Sequence, residues 1–244
     1  EGVRRARHEL ATQPGSRAEL LVLIAQLNNG LGNHEAALAV LEEQKASMDA
    51  AGNLVPAGLA LAAAVQQGRA LRMAGELRAC TARLGEVLAA HPSVGSREWP
   101  VLAEVHAQVG RCHEQLAQQP EAQAHFQRAL GLRRGRPLEE ALSLGDVARI
   151  EARAGRPAAA MQHLQQALDL VRRAGSERSV HSTAIWLQMG AVHLQSGDLA
   201  RAEGDGRQEE AAAFQGDAVQ KCDHLGTIDR VVGGLPHPDV GEHA

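Results

Sequence analysis

The stretch IWLQMGAVHLQSGDLARA, residues 185–202, places two glycines, Gly190 and Gly197, in a run that otherwise has the composition of a helix. An isolated Gly inside a helix costs about 1 kcal/mol relative to Ala, so each glycine needs a physical reason. Gly190 predicts a point where the helix presses on a partner and a side chain would hold the two apart. Gly197 predicts the end of that helix, because glycine adopts a left-handed C-cap with the least strain.

The same arrangement occurs four more times toward the N-terminus. In each case a small residue is followed by a turn residue: Ala25 and Gly32, Gly68 and Gly75, Gly110 and Ala117, Ala148 and Gly155. A second helix then opens with another small residue: Ala37, Cys80, Ala122 and Ala160. The five turn positions are 43, 42, 38 and 42 residues apart. The sequence therefore predicts five helix pairs.

Composition agrees with an all-α fold. Hydrophobic residues make up 44% of the 244 residues, but aromatic residues only 2%, and Tyr is absent. The core must then be built from Ala, Leu and Val, whose small side chains let helices approach closely. The net charge of −4 favours neither nucleic acid nor an acidic membrane as a direct partner. No apolar run approaches the roughly 18–20 residues that cross a bilayer.

The pattern also predicts domain boundaries. Residues 1–14 are expected to be the second helix of a truncated preceding repeat, which ends at Pro14 because proline disfavours helix before it. Residues 15–203 hold the five repeats. Residues 204–225, which begin with Gly204, Asp205 and Gly206, are predicted to form an irregular capping helix. Residues 226–244 lack periodicity and are predicted to be an extended or disordered tail.

These helix pairs resemble the tetratricopeptide repeat (TPR), whose pattern is W-x2-L-G-x2-Y, a turn Gly, A-x3-F and then Pro. The resemblance implies an all-α, right-handed α-solenoid of about five TPR-like helix pairs, with repeats of 38–43 residues instead of the usual 34. It also implies that the chain presents the groove lined by its first helices to another protein.

In such arrays the residue after the first small residue points into the groove. Here those residues are Gln26, Arg69, Arg111, Arg149 and Ala191, and Arg72 and Arg153 lie about one turn further on. We predict that Arg69, Arg72, Arg111, Arg149 and Arg153 bind carboxylates of an extended acidic or mixed segment of a partner protein. The alternative is an ordinary solvated face. The run LRRGRP, with Arg133, Arg134 and Arg136, is expected to be a solvated loop.

Neither a metal site nor an enzyme is predicted. His106, Cys112 and His113 are the closest group of ligand types, but the two histidines occupy the Trp and Tyr positions of the repeat and are expected to pack. The pair Cys222 and His224 lacks further ligands. No nucleotide-binding loop, nucleophile elbow or HExxH motif occurs in the chain, so no cofactor is expected.

The three cysteines, Cys80, Cys112 and Cys222, are an odd number without the spacing of a disulfide framework. The sequence therefore predicts reduced thiols and an intracellular, reducing location.

Residues 72–132 are similar to the TPR subunit of the cohesin loader, the chromatid cohesion factor family. That resemblance implies an adherin-type partner, a role in sister chromatid cohesion and a nuclear location. The alternative is a ligand- or protein-sensing TPR region of a bacterial multi-domain transcription regulator. A kinesin light chain-like adaptor is a third possibility, but this chain lacks the Asn and Tyr typical of those helix ends. The Lys and Asn of chaperone-binding TPR domains are also missing, which disfavours binding of chaperone tails.

Overall fold

The computed structural model describes residues 10, 13–51, 56–92, 94–95, 97–198, 201 and 204–207. These residues form helices joined by turns. The helices are α1 Pro14–Gly30, α2 His34–Ala51, α3 Ala57–Met73, α4 Leu77–Ala90, α5 Trp99–Gln115, α6 Gln119–Arg133, α7 Pro137–Arg153, α8 Pro157–Arg173 and α9 Val180–Gln195. No strand occurs within the described part of the chain. The prediction of an all-α fold built from helix pairs is confirmed.

The described residues up to Glu177 form one compact unit, and the described residues from Arg178 onward form another. In the first unit, α1 packs on α2, α3 on α4, α5 on α6 and α7 on α8. The first helices of successive pairs also pack on one another, α1 on α3, α3 on α5 and α5 on α7. This is the stacking of an α-solenoid, and it gives four of the five predicted repeats.

The turn within each repeat lies where the sequence predicted it. Backbone φ is +76° at Gly32, +81° at Gly75, +72° at Gly155 and +79° at Gly197. The remaining turn residue, Ala117, has φ +59°. Among the described residues, it is the one residue other than Gly with positive φ. The backbone therefore makes the same left-handed helix ending in every repeat, although one repeat lacks the glycine that suits it.

The connections between repeats vary in length. Only residues 134–136 separate α6 from α7, whereas residues 91–98 separate α4 from α5. This difference explains the shorter spacing of 38 residues between the turns at 117 and 155.

The small residues of the first helices lie where two helices meet. A Cβ added to Gly110 would stand 2.6 Å from Cε1 of Phe126, and one added to Gly68 would stand 2.6 Å from Cδ1 of Leu84. In the other two repeats the same position holds Ala25 and Ala148, both buried. The prediction of close packing at Gly68 and Gly110 is confirmed. Gly190 is half-buried, and the helix predicted to pair with it lies mostly outside the described residues.

A second position, two residues after the small residue, joins neighbouring repeats. Ala70 packs into the core of the first repeat, Cys112 into that of the second and Ile150 into that of the third. The corresponding residue of α1, Leu27, is 67% exposed, and Leu23 and Leu31 beside it are also exposed.

The prediction of reduced thiols is wrong for two of the three cysteines. Cys80 on α4 and Cys112 on α5 are both fully buried and form a disulfide that spans 32 residues of sequence. Sequence spacing missed the pair because the two sulfur atoms meet only when the second and third repeats stack. Cys222 lies outside the described residues.

In the second unit, α9 begins at a capping box in which the Ser179 and Ser182 side chains each bond the other's backbone N–H. Ile185, Met189 and Val192 are buried and Trp186 is half-buried. Of the predicted capping helix at 204–225, the structure describes residues 204–207, which are helical. The predicted tail at 226–244 and nearly all of the predicted N-terminal segment at 1–14 lie outside the described residues. Within the described residues, no helix has the length and apolar character needed to cross a membrane.

Candidate partner-binding face

The five arginines predicted to contact a partner lie on three consecutive first helices. Arg69 and Arg72 are on α3, Arg111 is on α5, and Arg149 and Arg153 are on α7. Because α5 packs against both α3 and α7, these side chains come together, and we call them the arginine face. Burial, followed by the like charge of Arg111 on α5, lowers the pKa of both Arg69 and Arg72.

Arg111 is held between two carboxylates. Its Nη1 lies 3.2 Å from Oε1 of Glu104 on the same helix, and its Nη2 lies 3.0 Å from Oδ2 of Asp146 on α7. Burial opposes the charge on Arg111, but the two carboxylates outweigh it and hold its pKa above the usual value. The bond to Asp146 joins the third repeat to the fourth.

Arg149 and Arg153 share a buried acid. Arg149 pairs with Glu114 on α5 and with Asp146, and its guanidinium carbon lies 5.5 Å from the ring centroid of Phe126. Nε of Arg153 lies 3.3 Å from Oε1 of Glu114. Glu114 is almost fully buried, whereas the Arg153 side chain is 49% exposed. The arginines of α7 therefore also bridge to α5.

Arg133 is a sixth cation of this cluster, and the prediction of a solvated loop is wrong for it. It is the last residue of α6 and is buried. It pairs with Glu104 and donates to the hydroxyl of Ser143 at 3.1 Å. The sequence pattern placed it in a basic run because the pattern did not show that α6 extends to residue 133. Arg134 and Arg136 are exposed, as predicted.

Sequence reasoning missed the acids. Glu104, Glu114 and Asp146 lie among the arginines and neutralise part of their charge. A signal was available, since Asp146 precedes Arg149 by three residues and Glu104 precedes Arg111 by seven, spacings that bring side chains to one side of a helix. Among the described residues, and with Arg133 included, the cluster holds six guanidinium groups and three carboxylates, an excess of three positive charges.

The histidines form a packed group of three. Nδ1 of His106 lies 3.0 Å from Nδ1 of His125, and the ring of His113 stacks on His125 with centroids 5.5 Å apart. The pKa of His106 is lowered to about 4 by burial and then by the charge of Arg128. The pKa of His125 is also lowered to about 4, first by burial and then by His106, His113 and Arg128. His125 was not singled out from the sequence. Within the described chain, no group of three or more His, Cys, Asp or Glu has metal-binding geometry.

Comparison with known proteins relates this chain to others by fold. No protein-family model and no curated protein matches it. A kinesin light chain-like structure with nearly identical TPR-like repeats from Podosopora anserina is similar with a TM-score of 0.65 and 18% identity, over 81% of this chain and 95% of that one.

Two further solved structures share the architecture. BtubC (BKLC) from P. vanneervenii has a TM-score of 0.67 and 14% identity, over 100% of this chain and 92% of that one. MamA from Desulfovibrio magneticus RS-1 has a TM-score of 0.54 and 16% identity, over 82% and 97%. At these identities the likeness establishes the fold, a TPR-like solenoid.

Proposed function

We propose that this chain is a non-enzymatic protein-interaction scaffold whose arginine face binds an extended acidic or mixed segment of another protein. The observation that carries this proposal is the charge of the cluster, which among the described residues holds six guanidinium groups and three carboxylates. A partly buried surplus of one sign attracts and orients a partner of the other sign.

The fold supports the same conclusion. The similar structures are repeat proteins of the TPR type, and stacked helical repeats offer an extended surface to partners with little rearrangement of their own.

The finer predictions remain proposals. The similar structures do not support the cohesin-loader resemblance, its adherin-type partner and nuclear location, or the bacterial regulator. Recovery of a large helical-repeat adherin with the protein would favour the first. A helix-turn-helix or a nucleotide-binding loop elsewhere in the same gene product would favour the second. An intracellular location likewise remains a prediction.

The proposal can be tested by affinity capture followed by mass spectrometry. The test variant changes Arg69, Arg72 and Arg153 to Ser. The matched control changes three exposed arginines on or next to the second helices, Arg128, Arg134 and Arg172, to Ser, which removes the same charge elsewhere. We expect the test variant to lose partners that the wild type and the control retain. Equal recovery by all three proteins would contradict the proposal.

A further inference from the structure

The arginines of this face differ in how far their hydrogen-bonding capacity is used. Both terminal nitrogens of Arg111 and both of Arg149 bind carboxylates. The Nε of Arg149 and that of Arg72 are both buried without a hydrogen-bond partner. Arg72 differs in that no carboxylate of the described residues pairs with its guanidinium group. A buried donor without a partner is destabilising, and more so when it belongs to a charged group.

The surroundings of Arg72 are positive. Burial lowers its pKa to about 10, and the charges of Arg111 and Arg69 add to that effect. His34, the first residue of α2, is close enough to both arginines of α3 that its pKa is lowered by burial and then by Arg69 and Arg72. Glu104 and Asp146 offset this field only in part, because their oxygens already bind Arg111, Arg133 and Arg149.

We propose that Arg72 is the anchoring residue for the bound segment, and that its guanidinium group binds a side-chain carboxylate of that segment. This inference rests on the proposed function and assigns its strongest contact to one repeat. An incoming carboxylate would supply the partner that Arg72 lacks through charge-assisted hydrogen bonds. At Arg111 and Arg149 the same carboxylate would have to displace Glu104, Glu114 or Asp146.

The first test measures binding of a fluorescein-labelled hexaglutamate peptide, with hexaglutamine as the uncharged control. We expect Arg72→Gln to weaken binding by about tenfold or more, as loss of one partner of a desolvated charge pair does. The matched control is Arg153→Gln, which removes the same charge at an exposed site that is already paired with Glu114, and we expect it to weaken binding by less than about threefold. Arg72→Lys should recover part of the loss, since it restores charge without the bidentate geometry.

The second test uses His34 as a local reporter. In the free protein, NMR titration should show a lowered pKa for His34 that rises toward its usual value in Arg72→Gln and stays lowered in Arg153→Gln. Hexaglutamate should raise the pKa of His34 in the wild type, because it brings negative charge next to the ring, and should not do so in Arg72→Gln. A structural role of Arg72 would not produce this dependence on the peptide.

Two results would overturn the inference: equal losses of hexaglutamate affinity in Arg72→Gln and Arg153→Gln, or a His34 pKa that does not respond to the peptide. Either result leaves the capture experiment above unaffected, since a diffuse positive face would still recover partners. Conversely, if Arg72 binds hexaglutamate but the triple serine variant still captures every partner, the proposed function fails while the anchoring site stands.

Discussion

The third repeat, α5 with α6, and the fourth, α7 with α8, share one backbone plan but fill it differently. Where the third has Gly110 against Phe126, the fourth has Ala148 and Leu164. Three further positions differ between the two repeats. Cys112, which forms the disulfide, corresponds to Ile150. His106 corresponds to Leu144, and the turn residue Ala117 corresponds to Gly155. The arrangement of helices therefore depends on the combined size of the facing side chains and not on particular residues. The predictions below concern features in which the third repeat differs from the fourth.

The largest expected effect concerns the disulfide, for which the fourth repeat has only the apolar Ile150. Reduction of a cross-link that closes 32 residues should lower the free energy of unfolding by about 3–4 kcal/mol through the entropy of the unfolded chain. Urea denaturation with and without dithiothreitol measures this. A Cys80→Ser/Cys112→Ser variant is the control and should not respond to the reductant. Three free thiols in the unfolded, unreduced protein would contradict the account.

Replacement of the packing glycine is expected to have the next largest effect. Gly110→Ala places a Cβ 2.6 Å from the ring of Phe126. Because that ring is fully buried, the variant should destabilise the protein by about 2 kcal/mol through overpacking. The control, Gly131→Ala on α6, adds a Cβ where no atom lies within 4 Å and should stabilise by about 0.5–1 kcal/mol from helix propensity. Thermal denaturation of both variants measures the contrast, and a stabilised Gly110→Ala would refute close packing.

The histidine group of the third repeat predicts a loss of stability in acid. The fourth repeat has Leu144 and Glu151 in place of His106 and His113. The folded pKa of His106 and of His125 is about 4, below the unfolded value of about 6.5. The unfolded chain therefore binds more protons, and the free energy of unfolding should fall as the pH is lowered from about 6.5 to about 4. His106→Leu, which copies Leu144, should lose less stability over this range. Parallel pH profiles for the two proteins would argue against it.

The smallest effect is expected at the turns. Ala117 adopts φ +59°, a conformation in which glycine is less strained, so Ala117→Gly should stabilise the protein by up to about 1 kcal/mol. The reverse change in the fourth repeat, Gly155→Ala at φ +72°, should destabilise it by a similar amount. Melting temperatures of the two variants should thus move in opposite directions. Shifts of the same sign would show that the turns are not equivalent.

The sequence predicted the features that recur in every repeat and missed the contacts that occur at only one pair of helices. The small residues and turn residues recur about every forty residues, so their pattern revealed the helix pairs, Gly110 and Ala117 included. The Cys80–Cys112 bond and the contact of His125 with His106 occur once, between residues far apart in sequence. A periodic pattern cannot predict such pairs, because they do not repeat. The arginine face lies between these cases: repetition located its cations, but their acids follow no repeat.

The most direct test of the nesting of helices at small residues is a double-mutant cycle on Gly110 and Phe126, with chemical denaturation as the measurement. Gly110→Ala/Phe126→Leu recreates the Ala148 and Leu164 pair of the fourth repeat. We predict that Gly110→Ala costs about 2 kcal/mol beside Phe126 but little or nothing in the Phe126→Leu background, a coupling of at least about 1 kcal/mol. The same cost in both backgrounds would contradict the account.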